Sequence, residues 1–193
     1  ATIGVTTGGL NNTTSFTTVG GIAADSGTAV TVAVGNTITF PAETGTNIGN
    51  YNTVLSCLAD GGATANALSG TDGQVSNTLV IDAGDSGKAI VCTYTNTRKA
   101  ATLTLRKTWA ASSIAGNTTT VTSSGFTNNA SSGLSPATAI GNTTTGSVVT
   151  VYAGESGTIT EAFTVGSASN YNAVLTCTGN ATALVGNALT VNS

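Results

Sequence analysis

The 193-residue chain contains no histidine and no methionine, and only 7% of its residues are charged. Without histidine there is no Ser-His-Asp triad, no histidine metal ligand and no histidine general base. Five basic residues against eight acidic ones argue against a nucleic-acid partner, which needs a basic surface. No run of 18 apolar residues occurs, so we expect no insertion into a membrane. These absences leave no residue constellation typical of an enzyme.

Small residues dominate what is present. The chain has 25 glycines and is rich in threonine, whereas its aromatic residues are four Phe, four Tyr and one Trp. Threonine and valine favour strands, while glycine and asparagine favour turns. We therefore expect an all-β protein. Its weakly charged surface suits an extracellular polymer that packs against copies of itself, because like-charged surfaces repel each other.

Two repeats follow one another along the chain. The sequence YNTVLSC at 51–57 returns as YNAVLTC at 171–177. Two further pairs of segments keep the same order: TV at 31–32 with TV at 150–151, and NTLVI at 77–81 with NALTV at 187–191. Such self-similarity indicates homologous structural units. We predict two domains, 1–99 and 100–193.

Short segments of alternating apolar and polar residues, separated by glycine, asparagine, aspartate and serine, predict the strands. In the first repeat they are 28–34, 36–40, 51–58, 78–81 and 89–96. In the second they are 101–109, 118–122, 147–152, 157–163, 171–178 and 188–191. About seven strands in each repeat favour immunoglobulin-like or prealbumin-like β-sandwiches.

The second repeat is expected to be incomplete. Ser193 aligns with Ala83, so nothing here matches residues 84–99, which include the strand predicted at 89–96. A sandwich without one strand exposes an apolar groove and unpaired backbone edges. Either the chain is part of a longer tandem array, which we favour, or a neighbouring subunit donates the strand.

The three cysteines follow the repeats. Cys57 and Cys92 lie in predicted strands of the first repeat, and we predict a disulfide between them; two buried free thiols are the alternative. Cys177 occupies the position of Cys57, so its partner would lie on the strand that the second repeat lacks. We therefore expect Cys177 to be unpaired within the chain.

The sequence CTYTNTRK at 92–99, followed by ATLTLRKTW at 101–109, resembles a junction between repeats of large bacterial surface proteins. The similar proteins include the B-type repeats of collagen adhesins and the backbone domains of sortase-type pilins. The resemblance covers both repeats in outline. It implies a secreted protein at the bacterial cell surface with an adhesive or filament-forming role, no enzymatic activity and no cofactor.

The resemblance also implies a possible isopeptide bond, which in that family joins a first-strand lysine to a last-strand asparagine beside a buried glutamate. Lys107 matches the lysine and Glu161 the glutamate, while Asn96 has the form of the asparagine but belongs to the first repeat. Thr7 and Phe40 stand at the lysine and glutamate positions of the first repeat, so we expect no bond there. The alternative makes Lys107 a solvated strand residue and Glu161 an outward-facing acid.

Other polar residues carry weaker signals. Four of the five basic residues cluster at the junction: Arg98, Lys99, Arg106 and Lys107. They are candidates for binding an acidic receptor or an anionic polysaccharide, or they discourage edge pairing. Turn residues Asp82, Asp85 and Glu155 lack acidic counterparts at most equivalent positions, so we predict no metal site. We expect Trp109 to pack in a core or between the domains rather than to bind sugar.

The sequence thus favours a structural subunit of an extracellular bacterial filament, sheath fibre or adhesin stalk. Its partners would be copies of itself, joined as a continuous repeat array or by strand complementation. A cell-surface adhesin or carbohydrate-binding module is the alternative. The small number of aromatic residues argues against that alternative, because sugar-binding surfaces commonly use exposed aromatic rings.

Overall fold

The computed structural model describes residues 2–6, 15–19 and 27–192. This described part is all-β, as predicted: it consists of strands, loops and three short 3-10 turns, without an α-helix. No helix in it is long and apolar enough to cross a membrane. The chain divides into two compact units, Ala1–Arg98 (unit 1) and Lys99–Ser193 (unit 2).

Unit 1 is built around one long antiparallel pair. Its strands are β1 (Thr2–Thr6), β2 (Ser15–Val19), β3 (Thr37–Phe40), β4 (Thr44–Gly45), β5 (Tyr51–Ala59), β6 (Gly62–Ala63), β7 (Thr71–Asp72), β8 (Asn77–Val80) and β9 (Ile90–Arg98). The described strands form three sheets: β2-β1-β4, β3-β8, and β5 with β6, β7 and β9. β5 pairs with β9 along its whole length, from Tyr51 opposite Arg98 to Ala59 opposite Ile90.

The burial of β5 follows from its sequence. Thr53, Leu55, Cys57 and Ala59 alternate with exposed or half-buried residues, as expected for a strand with one face on a core. The core of unit 1 contains the following buried side chains: Ile38, Phe40, Leu55, Cys57, Leu79 and Ile81. The turn into β6 consists of Asp60 and Gly61, both with positive φ. A two-residue turn with positive φ at both positions has a twist that matches the twist of the flanking strands, so these two residues suit a tight hairpin.

Unit 2 has a four-stranded sheet and two separate strand pairs. Its strands are β10 (Ala100–Leu103), β11 (Arg106–Trp109), β12 (Thr118–Ser124), β13 (Ser131–Pro136), β14 (Asn142–Thr145), β15 (Val149–Tyr152), β16 (Ser156–Val165) and β17 (Ala188–Thr190). The sheet order is β13-β12-β16-β17, while β10 pairs with β15 and β11 with β14. The β16–β17 pair of unit 2 corresponds to the β3–β8 pair of unit 1, since Leu189 and Leu79 occupy equivalent buried positions.

The core of unit 2 depends on close backbone packing. Its buried side chains are Leu103, Leu105, Val121, Phe126, Ala130, Val151, Ile159, Leu189 and Val191. Gly157 of β16 lies directly against the Phe126 ring: a Cβ at this glycine would come within 2.3 Å of a ring carbon and 2.4 Å of the Ser124 carbonyl oxygen. Only glycine fits this position without movement of the neighbouring groups.

Several predicted strands differ from the structure. Residues 28–34 form no strand, although Val32 packs against the core of unit 1. The segment 101–109 is two strands, because β10 and β11 pair with different partners. Residues 171–178 form no strand either, since no described strand pairs with them. The strands β13 and β14 were not predicted, because their sequences lack regular apolar alternation.

Candidate functional site

The disulfide predicted in the first repeat is confirmed. Cys57 of β5 lies directly opposite Cys92 of β9, and the two are bonded to each other. The Cys57 side chain is 1% exposed. The bond therefore joins the two strands of the longest ladder in unit 1 at a position inside the core.

The equivalent of β5 in unit 2 has no such partner. Residues 171–178 share the sequence of β5, yet within the described residues no backbone hydrogen bond joins 172–178 to another strand. Leu55 is fully buried in unit 1, whereas the matching Leu175 is only half-buried. Val174 is 85% exposed. Neither edge of 172–178 is paired with another strand among the described residues, and one face of the segment is open to solvent.

A groove of about 1090 Å³ runs beside this segment within unit 2. One wall consists of residues 101–110 and the other of residues 171–181. Apolar side chains of the unit 2 core form its floor: Val121, Val151, Ile159, Leu189 and Val191. The groove therefore combines an apolar floor with unpaired backbone groups along a wall, as an added β-strand requires.

Cys177 lies in the groove and is the free cysteine of the described chain. It packs against the unit 2 core, as the half-buried Leu175 does. Burial raises the pKa of the Cys177 thiol above its usual value. Cys177 holds the sequence position of Cys57 in the motif shared by the two units.

Lys107 and Glu161 form an ion pair at the groove. The Lys107 Nζ lies 2.8 Å from the Glu161 Oε1, and the two side chains are 16% and 21% exposed. The same Nζ lies 4.4 Å from the centre of the Trp109 ring, within the range of a cation–π contact. These contacts do not fit a solvated lysine and an outward-facing acid, because both side chains are largely covered.

An aromatic cluster fixes the start of the open segment. Trp109, Phe163 and Tyr171 contact one another with ring centres 5.2 to 5.9 Å apart. The Tyr171 hydroxyl accepts hydrogen bonds from the Asn117 amide at 2.8 Å and the Ile114 backbone N–H at 3.1 Å. Tyr171 thereby anchors the start of the segment 172–178, which has no strand partner among the described residues.

Trp109 is a core residue, as its sequence context favoured. It is 3% exposed, and its Nε1 donates to the Ser135 Oγ at 3.1 Å. Its ring cannot serve as a flat binding surface for sugar in this arrangement, since such a surface has to be open to solvent.

Asn96 has polar partners within unit 1, although Thr7 and Phe40 stand at the lysine and glutamate positions of the first repeat. In unit 1 the Asn96 amide donates to the Glu43 Oε1 at 3.1 Å, and its Oδ1 accepts from the Thr53 hydroxyl at 2.5 Å. Glu43 is 6% exposed and contributes to raising the pKa of Tyr94 to about 12, although burial of the phenol is the larger cause. The carboxylate of unit 1 is therefore Glu43, three residues beyond Phe40.

The alignment of the two repeats missed Glu43 because it placed Phe40, three residues earlier, opposite Glu161. The β3–β8 and β16–β17 registers relate residue 37 to residue 156, which places Ala42 opposite Glu161 in the alignment. Glu43 reaches its buried position because its backbone N–H bonds the Gly73 carbonyl at 3.0 Å beyond the end of β3. The sequence did contain one signal for Glu43: it is an acidic residue shortly after a predicted strand, in a chain that has only eight acidic residues.

The three isopeptide candidates are divided between the two units. Lys107 and Glu161 meet in unit 2, whereas Asn96 contacts Glu43 in unit 1. Thr7 lies outside the described residues. Unit 2 has a lysine and a glutamate at an open groove, whereas unit 1 has a glutamate beyond β3 in contact with an asparagine on the paired strand β9.

The acidic turn residues have structural contacts. The Asp85 carboxylate accepts the backbone N–H groups of Ala65 and Asp82, each at 3.1 Å. The Glu155 carboxylate accepts the Tyr152 N–H at 3.0 Å and the Thr127 hydroxyl. In both units a buried acid stabilises a turn by accepting orphan backbone donors. The described residues contain no group of three or more ligand-type side chains arranged to hold a metal.

Comparison of the chain with protein-family models, with curated proteins and with solved structures found no match.

Proposed function

We propose that the chain is a structural subunit of an extracellular bacterial filament, sheath fibre or adhesin stalk. In this proposal each unit is an immunoglobulin-like or prealbumin-like sandwich of a tandem series. The supporting observation is the contrast between β5, which is covered by β9 and bonded through Cys57–Cys92, and the same motif at 171–178, which lies beside an open groove.

The mechanism is mechanical. A strand that fills the groove joins the polypeptide that carries it to unit 2, either along one continuous repeat array or between subunits. An antiparallel ladder like β5–β9 supplies backbone hydrogen bonds over nine residue pairs. A disulfide across such a ladder blocks extension of the chain between its two cysteines, which makes the joint resist pulling and proteolysis.

The chemistry of the surface and the disulfide supports an extracellular location. Disulfides persist in oxidising compartments, so the bonded Cys57 and Cys92 fit a secreted protein. A chain with 7% charged residues has weak electrostatic repulsion between copies. Both properties favour a packed surface polymer, and we propose no enzymatic role.

Immunogold electron microscopy tests this function. Antibodies against the purified chain should label intact, unpermeabilised producing cells, with gold particles arranged along surface filaments or a sheath. Permeabilised cells provide the matched control for antibody access. Labelling that appears only after permeabilisation would refute the proposed location and role.

A further inference from the structure

We propose that the unit 2 groove binds one additional antiparallel strand of the β9 type, whose cysteine forms a disulfide with Cys177. This inference rests on the proposed function, because it names the partner through which unit 2 is joined to its neighbour. The occupant is defined by chemistry: an extended segment with cysteine, an aromatic residue and asparagine at alternate positions, as in Cys92, Tyr94 and Asn96.

The pairing of β5 with β9 in unit 1 predicts the register in which the added strand would pair with 171–178. On β5 the residues Thr53, Leu55 and Cys57 face Asn96, Tyr94 and Cys92 of β9. The shared motif places Ala173, Leu175 and Cys177 at the same three positions of unit 2. A β9-type strand in this register brings its cysteine opposite Cys177 and its aromatic ring opposite Leu175.

The strand's asparagine completes the polar part of the groove. In unit 1 the Asn96 amide contacts the buried Glu43 carboxylate. In unit 2 the carboxylate at the groove is Glu161, oriented by Lys107. The position opposite Ala173 therefore selects a neutral side chain with an N–H donor, because a donor stabilises the carboxylate without adding a second buried charge.

The groove chemistry also argues against other occupants. The open backbone of 172–178 needs N–H and C=O partners along its whole length, which an extended peptide supplies and a sugar or lipid does not. The β9 strand of a second copy is already paired and disulfide-bonded inside its own unit 1. The donor is therefore a further β9-type strand.

The covalent step is a two-electron oxidation. The sulfur atoms of Cys177 and the donor cysteine form one S–S bond and lose two protons and two electrons. Oxidised glutathione accepts them and leaves as two molecules of reduced glutathione, through a mixed disulfide. Strand binding brings the two thiols together, so the bond forms faster than with a cysteine in a peptide that does not bind.

A synthetic peptide with the sequence of residues 88–99, KAIVCTYTNTRK, tests the inference on the whole chain. The chain and peptide are incubated in glutathione redox buffer, and the site of attachment is determined by mass spectrometry. We expect one peptide per chain, attached at Cys177. Backbone amides of 172–178 should become protected from hydrogen exchange.

Control peptides separate binding from thiol chemistry. A peptide with Ser in place of its cysteine should protect 172–178 without forming a disulfide to Cys177. A scrambled peptide with the cysteine retained should attach at least about tenfold more slowly, because it gains no local concentration from binding. Equal attachment of the scrambled peptide, attachment at Cys57 or Cys92 instead, or absent amide protection would overturn the inference.

Two further peptide variants test the contact made by the asparagine. Replacing the peptide asparagine (Asn96→Ala) should weaken binding about fivefold to tenfold, because one hydrogen bond to a carboxylate is lost. Replacing the adjacent outward-facing threonine (Thr97→Ala) should change binding less than twofold. Strand binding without surface labelling of cells would refute only the proposed function, whereas surface labelling without strand binding would refute only this inference.

Discussion

Lys107 of β11 and Glu161 of β16 form a close ion pair at the edge of an open groove, 2.8 Å apart. In unit 1 the corresponding acid, Glu43, instead contacts Asn96 on the strand β9. Each unit thus holds a different part of a lysine–glutamate–asparagine group. The completed ladder of unit 1 indicates what the groove of unit 2 lacks within the described residues.

The Cys57–Cys92 bond should contribute strongly to the stability of unit 1. Replacing both residues by serine should lower the free energy of unfolding by about 3–4 kcal/mol, because the bond closes a loop spanning a sequence separation of 35 residues. Denaturant unfolding under non-reducing conditions measures the change. Cys177→Ser provides the control and should leave the unit 1 transition unchanged. A similar loss in that variant would contradict the assignment.

Gly157 should not tolerate a side chain. Gly157→Ala forces a methyl group against the Phe126 ring and the Ser124 carbonyl, and overpacking of this kind costs about 1–3 kcal/mol. Thermal unfolding followed by circular dichroism measures the loss. Gly84→Ala is the matched control, because its new Cβ would lie at an ordinary 3.6 Å from Ala65. Equal effects of the two substitutions would exclude the packing argument.

Asn96 should stabilise unit 1 through its two polar contacts. Asn96→Ala leaves the buried Glu43 carboxylate and the Thr53 hydroxyl without their amide partner, which should destabilise the unit by about 1–3 kcal/mol. Thr97→Ala, at an exposed neighbouring position, should have little effect in the same denaturant measurement. An Asn96 variant as stable as the parent chain would show that these contacts contribute nothing.

The stability of unit 1 should fall at alkaline pH. The pKa of Tyr94 is raised from 10.0 to about 12, first by burial and then by the charge of Glu43. Folding thus favours the neutral phenol, and this stabilisation is present below pH 10 and is lost as the pH rises through 10 to 12. Tyr94→Phe should flatten that part of the stability profile. Profiles that stay parallel above pH 10 would refute the assignment.

The isolated chain should contain one disulfide and no isopeptide bond. Its intact mass should be lower than the sequence mass by two hydrogens. In a variant extended after Ser193 by the sequence of residues 84–99, the family resemblance predicts that the Lys107 Nζ bonds to the added asparagine carbonyl carbon while ammonia leaves. The mass should then fall by one ammonia, in addition to the two hydrogens lost when the added cysteine bonds to Cys177. Glu161→Ala should prevent this loss of ammonia, and an extended chain without the loss would contradict the expectation.

The sequence predicted best those elements that depend on local pattern. The alternation of Thr53, Leu55 and Cys57 located β5, and its length suited the pairing with β9 and the disulfide to Cys92. These features follow from side-chain periodicity and strand propensity. The same reasoning failed at 171–178, because a strand requires a partner and periodicity does not show whether one is present.

The polar contacts of Glu43 and Glu161 were harder to predict from the sequence than the strands were. Aligning the repeats placed Phe40 opposite Glu161, whereas the strand registers place Ala42 there, and Glu43 is one residue further on. The position of a side chain on one face or the other depends on such shifts, because successive residues of a strand point to opposite faces. The Lys107–Glu161 ion pair likewise depends on tertiary packing between β11 and β16.

The alternation along 171–178 has a geometric consequence for any strand seated in the groove. A slide of one residue would turn the donor cysteine and asparagine toward solvent, and a slide of two would separate the donor cysteine from Cys177. The added strand can therefore pair with 171–178 in only one register. A fibre made of many such joints would have a uniform axial step, determined by side-chain order rather than by the length of the connecting chain.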